Sequence, residues 1–264
     1  MRTNCSKDIS FVVLVLVSVI NVPSRAAALQ DPLSQPEQAQ HQGEKKVVIS
    51  LQETRHVEKA ADRFVERFRE MLDFGAVFDD MFVTDAIQRL RKAGFFENSD
   101  IIIPRLIERL DDATLKRIYK AIMNYYYIKA VYDLGVGKDE SAPPEVAAVI
   151  KASRFFNLLS DTGSGDAPAI TTREELEQFV VDLSNIAAMY KKRLPRNVFD
   201  SPTYNASLKA INLDKRSPVR IRDGYEGFGV REGVKVYEVE QDIFIIFFVE
   251  EAGELKVLTL GMGN

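Results

Sequence analysis

The sequence predicts an α+β protein, with a predominantly helical body of about seven helices packed on a C-terminal antiparallel β-meander of roughly three to four strands. Three observations point there. From about residue 53 to 212, apolar residues recur at spacings of three and four, the repeat of a helix with one buried face. Ser50 with Glu53 and Thr172 with Glu175 have the spacing of capping boxes, and Pro and Gly punctuate the periodic stretches. After Pro218 the pattern changes to alternating or continuous apolar runs separated by short polar turns, which is strand patterning.

The chain opens with the three parts of an export signal in order. Arg2 and Lys7 supply a basic start, Ile9 to Val22 an apolar run, and Ala26-Ala27-Ala28 a small-residue exit. The apolar run is shorter than the ~20 residues that cross a bilayer, and Pro23 ends it, which favours cleavage over permanent anchoring. Residues 1–28 are therefore expected to be a signal peptide and Leu29 the mature start, with a cut between Ser24 and Ala26 as the second option. Cys5, the single cysteine, precedes the apolar run, whereas an acylated lipoprotein cysteine directly follows it. Removal of the signal leaves no thiol for a disulfide, a metal site or a nucleophile. An exported domain of this size without disulfides points to a bacterial periplasm or exterior.

Residues 29–45 are rich in Gln and Pro with almost no large apolar side chains, the composition of a disordered tether. Residues 46–264 are expected to form a single α+β domain, helical over 53–212 and β over 218–264. Lys46 to Leu51 admits two readings, a short strand or, through Ser50 and Glu53, a helix start. From Thr54 the clearest amphipathic helix places Val57, Ala60, Ala61, Phe64, Val65, Phe68, Met71 and Leu72 on one face. A Phe-rich stretch then leads to a short helix from Thr84, as cap, to Ala93, with Gly94 as a left-handed stop. Asp100 is expected to cap the next helix, with Pro104 in its first turn.

Asp112 opens a long helix running past Leu115, Ile118, Tyr119, Ile122, Tyr126 and Lys129 to Asp133, with Gly135 as its stop. Pro143 and Pro144 start a helix to about Leu159, and a Gly-rich loop from Asp161 to Pro168 follows. Thr172 caps a helix burying Leu176, Phe179, Val180, Leu183, Ala187 and Tyr190 and ended by Pro195. A short helix after Ser201-Pro202 closes the helical part. Val234 to Val239, Ile243 to Val249 and Leu255 to Leu260 are the strands; the middle one is apolar on both faces, as a central strand covered on both sides would be.

Composition narrows the functional classes. Cleavage removes Arg2, Lys7, Arg25 and Asp8, leaving 32 basic against 38 acidic residues from the initial 35 and 39, a net charge of −6. A mildly acidic chain argues against a nucleic-acid role. The basic cluster of Lys191, Lys192, Arg193 and Arg196 falls at a helix C-terminus, where the helix dipole accounts for it. With 2 histidines, His41 in the tether and His56 at a helix start, no His-rich zinc site can form. Cofactor and metal sites are not expected. Asn205-Ala206-Ser207 spells a glycosylation acceptor, a tripeptide too permissive to carry weight.

Asp161-Thr162-Gly163-Ser164 spells the active loop of aspartic proteases, but that chemistry needs a second aspartate loop and a β-rich body. Tyr125 and Lys129 have the Tyr-x-x-x-Lys spacing of short-chain dehydrogenases, without the strand, Gly-rich turn and helix that would hold a dinucleotide. Gly224, Gly227, Gly229 and Gly233 precede a strand, so they read as turns or bulges and not as a phosphate cradle. The pairs Asp79-Asp80 and Asp111-Asp112 fall at helix junctions and read as caps. Tyr119, Tyr125, Tyr126, Tyr127 and Tyr132 make the long helix aromatic around most of its circumference, which places it centrally. Core packing is the plain reading of these tyrosines. The functional reading makes Tyr125, Tyr126 and Lys129 a ligand-binding set.

Together these features point to a non-catalytic binding or interaction protein of the cell envelope, periplasmic or secreted. Its partner would be a small molecule or an envelope protein, with no nucleic acid and no stable membrane insertion once the signal is cleaved. Two alternatives stand beside it: a metal-independent hydrolase using carboxylate or tyrosine groups, and a structural, self-assembling envelope protein.

Overall fold

A computed structural model of the chain describes residues 49–97, 101–136, 142–155, 169–199, 201, 216–241 and 244–262. Among them are seven α-helices followed by a four-stranded antiparallel sheet, the α+β architecture that the patterning predicts. The tether, the loop from Asp161 to Pro168, Asp100 and the helix expected after Ser201-Pro202 lie outside the described residues.

Helix α1 (Leu51–Met71) begins at the Ser50 capping box, so the helix-start reading holds from Ser50, while Lys46 to Val48 of the alternative strand lie outside the described residues. The Ser50 hydroxyl accepts from the Glu53 amide at 3.1 Å, and the Glu53 carboxylate accepts from the Ser50 amide at 2.9 Å. The same carboxylate holds the Lys235 ammonium, so the helix start is tied to the sheet. The lysine hydrogen bond, with help from Ser50, lowers the Glu53 carboxyl from 4.5 to about 2. Its contribution to stability is thus complete above the ordinary carboxyl range and fades as pH falls toward that lower value. At the other end Leu72 turns left-handed (φ 44°), and the Lys191 ammonium meets the Met71 carbonyl at 2.7 Å.

The Phe-rich stretch is itself a helix, α2 (Phe74–Met81), capped by Asp73 through the Ala76 amide. Helix α3 (Ala86–Lys92) follows, without the expected Thr84 cap. The Thr84 amide is held by the Glu251 carboxylate at 3.1 and 3.2 Å, and the Val83 amide donates to the Val257 carbonyl at 2.9 Å. Pairing with the sheet edge outcompetes local capping there. Gly94 adopts the expected left-handed conformation at φ 70°. Pro104 opens the single-turn α4 (Pro104–Ile107). In α5 (Asp112–Val136) Asp111 supplies the cap, accepting from the Thr114 amide at 2.7 Å, and Gly135 lies inside the last turn and does not stop the helix. Helix α6 (Pro144–Ala152) ends earlier than its periodicity suggests, because Ser153 is extended and its hydroxyl is bound to Asp182. Helix α7 (Arg173–Arg193) starts at the Thr172–Glu175 capping box and buries the apolar face read from the sequence, with Ile186 added.

Strands β1 (Arg220–Tyr225), β2 (Val230–Gln241), β3 (Phe244–Glu251) and β4 (Glu254–Met262) pair in chain order. β1 is the strand that apolar patterning reveals least, since its alternate residues are Arg220 and Arg222. Both guanidiniums bind the buried Glu238 carboxylate of β2, at 3.1 and 2.7 Å. Gly224 (φ 73°) sits at the bulge where β1 and β2 change register, and a Cβ there would lie 2.9 Å from the Arg231 backbone. β3 is the central strand the sequence points to, apolar on both faces. On one face Phe244 packs edge-on against Phe64 and Phe68 of α1 and at a tilt against Tyr127 of α5. On the other, Phe247 meets the Tyr225 ring at 5.3 Å and lies under the Arg222 guanidinium.

Helices and sheet thereby contribute to one contiguous hydrophobic cluster. Phe244 is fully buried at its centre, so Phe244→Ala is expected to cost about 3–5 kcal/mol of unfolding free energy through lost burial and a residual cavity. The half-exposed Val181→Ala should stay within about 0.5 kcal/mol of wild type. Equilibrium urea unfolding of the two variants checks both values.

Candidate functional site

Helix α5 is buried around most of its length: Ile118, Tyr119, Tyr125, Tyr127, Ile128 and Val131 point in different directions and all lie in the core. Toward its N-terminal half one stripe stays open. Lys116, Arg117, Lys120 and Asn124 follow each other at helical spacing on that stripe. They line a groove of about 680 Å³ between the start of α2, α5 and the middle of α7. Gly75, Ala113 and Ala121 present little side chain there and leave the space, while Val180 and Val181 form an apolar stretch along the α7 wall. Val181 is 49% exposed; among the described residues Leu51 is the other large apolar residue left exposed.

The walls are held by specific bonds. Asn124 accepts from the Phe74 amide at 3.2 Å, fixing the start of α2 against α5. Asp79, in the last turn of α2, binds the Lys116 ammonium through one oxygen at 2.7 Å and the Lys120 ammonium through the other at 2.5 Å. Burial raises the Asp79 carboxyl, but the hydrogen bonds from the two lysines outweigh it and hold the group below its ordinary 3.8. Lys116 also lies over the Phe78 ring, 5.6 Å from its centre. Arg117 reaches across to Glu177 of α7. The Ser184 hydroxyl donates to the Val180 carbonyl at 2.7 Å, within its own helix. The groove therefore combines an apolar wall with three cations, each already facing a carboxylate.

No family model matches this chain, and no curated protein or solved structure does. Function has to be read from the side chains themselves.

The residues singled out from the sequence sit elsewhere on α5. Tyr125 is buried and packs edge-on against the half-buried Tyr126, with ring centres 5.3 Å apart. Lys129 is buried, and its ammonium binds Asp133 one turn on. None of the three borders the groove. His56 is exposed at the start of α1, and the glycines from 224 to 233 lie at the turn and bulges of the first hairpin. Asp111 caps α5 as expected, but Asp79 and Asp80 are not caps: Asp79 binds the α5 lysines and Asp80 the Arg67 guanidinium at 2.9 Å. Lys191 and Arg193 are engaged at the end of α7 with the Met71 carbonyl and the Glu145 carboxylate. Among the described residues no group of three or more His, Cys, Asp or Glu is placed to hold a metal ion, and no helix is long and apolar enough to cross a membrane.

The sequence does contain a signal for the groove. Lys116, Arg117, Lys120 and Asn124 form a polar stripe on the N-terminal half of a helix whose neighbouring residues Leu115, Ile118, Tyr119 and Met123 are buried. The Asp79 pair is half-exposed, so Asp79→Asn is expected to lower stability by less than about 1 kcal/mol at neutral pH. Because the folded-state value is lowered, the difference from wild type should shrink as pH drops below 3.8. Urea unfolding of both proteins at neutral and acid pH measures it.

Proposed function

We propose that this is an exported, non-catalytic binding protein and that the groove between α2, α5 and α7 is its recognition surface. The observation that carries the reading is the mixed lining: cations on one side and, on the α7 side, the exposed Val181 beside the buried Val180, around an open groove of about 680 Å³. Such a lining orients a ligand by charge while its apolar part leaves water.

The chemistry in the groove supports binding over hydrolysis. A carboxylate hydrolase needs two acids, brought from different segments, whose environments separate their proton affinities. Asp73 and Asp79 both come from the α2 segment; the first caps the helix and the second is kept ionised by two lysines. Ser184 spends its proton on a backbone carbonyl. Export rests on the basic, apolar and small-residue order of residues 1–28, and the mildly acidic mature charge does not favour nucleic acid.

Two measurements on protein recovered from an exporting bacterial host test this. Intact mass should place the mature start near Leu29; a chain that begins at Met1 and keeps residues 9–22 contradicts cleavage. Native mass spectrometry should show small molecules retained by wild type and lost in Asn185→Trp, which fills the groove from an exposed position of α7. Equal retention by both proteins, or none by either, contradicts the groove as the binding surface.

A further inference from the structure

We infer that the groove takes an amphipathic organic anion, a carboxylate or sulfonate on an apolar body, and that Asp79 is a resident counter-ion whose place the ligand's anionic group takes. This rests on the reading of the groove as a recognition surface.

Lys116 and Lys120 stand one turn apart on α5, where two like charges repel unless an anion joins them. Asp79 joins them with both its oxygens, one to each ammonium. The site is thus shaped for a two-oxygen anion bridging two cations, and a ligand carboxylate or sulfonate presents the same pair of acceptors. None of the three side chains is deeply buried: Lys116 is 42%, Lys120 25% and Asp79 46% exposed. An ion pair that open contributes little to stability, so exchanging one carboxylate for another is cheap. Asp79 also lies on α2, whereas both lysines lie on α5, so it can turn away without disturbing the cations.

The apolar wall defines the rest of the ligand. Val180 and Val181 both border the groove, Val180 at its buried base and Val181 49% exposed along its wall. An anion without an apolar body leaves that wall wet, and an apolar body without an anion leaves the lysines on Asp79. Only a molecule with both parts uses the whole lining. The third cation, Arg117, remains with Glu177 at the seam of α5 and α7 and closes that side of the groove.

The test compares two fluorescent probes on the mature chain: 1-anilinonaphthalene-8-sulfonate, and N-phenyl-1-naphthylamine, which lacks the sulfonate. The sulfonate is expected to bind wild type about tenfold more tightly than the neutral probe, as charge-assisted contacts imply. Asp79→Asn should tighten the sulfonate by about threefold to fivefold and leave the neutral probe unchanged. Replacing Lys116 and Lys120 together by Met should bring the sulfonate down to the neutral probe and abolish the gain from Asp79→Asn. Benzoate should displace the sulfonate where benzyl alcohol and inorganic phosphate do not. Equal binding of both probes that is still lost in Asn185→Trp overturns the anion assignment and leaves the groove as a binding surface; binding of neither probe overturns both. A gain in Asp79→Asn that survives loss of the lysines reports a loosened fold and also overturns the assignment.

Discussion

The contact on which the rest of this structure depends is the aromatic interlock around Phe244. Its ring stands edge-on to Phe64 and Phe68 of α1 at 5.4 and 5.2 Å and meets Tyr127 of α5 at 5.5 Å. Edge-to-face aromatic pairs add directional preference to the bulk gain of burial, so the strand is positioned as well as attached. From Tyr127 the cluster continues through Phe74 to Tyr119, Phe78 and Phe82. One chain of rings thus runs from the central strand through the central helix to α2. Tyr127 carries a cost within it: its hydroxyl is buried with no hydrogen-bond partner among the described residues, and burial pushes the phenol well above its ordinary range.

The groove borders the same helix, α5, nearer its N-terminus. Tyr127 meets β3 from the C-terminal half of α5, whereas the Lys116–Asn124 stripe lies along the N-terminal half, beside the start of α2 and the middle of α7. The groove's walls are held by single bonds of modest strength: Asn124 to the Phe74 amide and Arg117 to Glu177. The groove proposed as a recognition surface has a base of buried residues and a rim of partly exposed ion pairs. Binding a small ligand needs that combination, because the base limits the entropy lost on ordering while the rim ion pairs can be traded for ligand contacts.

Much of the fold was legible because the decisive signals were local. The two capping boxes, the proline at the start of α4 and the three-and-four spacing on α1 and α7 each act within a turn or two of chain. What was not legible depended on partners far away in sequence. Thr84 looks like a helix cap until Glu251 is seen holding its amide. β1 looks polar until Glu238 is seen between its arginines. Asp79 looks like a junction residue until the lysines of α5 arrive beside it. The site shows the same division. Aromatic density around Tyr125, Tyr126 and Lys129 correctly marks α5 as the buried axis, but density of large side chains reports where space is filled. The groove lies where the side chains are small, at Gly75, Ala113 and Ala121, and small residues in a sequence do not say which neighbours have left room.

If the Phe244 interlock organises the molecule, the sheet cannot open without the helical body. Native-state hydrogen exchange under increasing denaturant measures this directly. Amides of α1, α5 and β3 are expected to exchange through one opening reaction at the global unfolding free energy. An opening of β2 to β4 at clearly lower free energy, with α1 and α5 still protected, would contradict it.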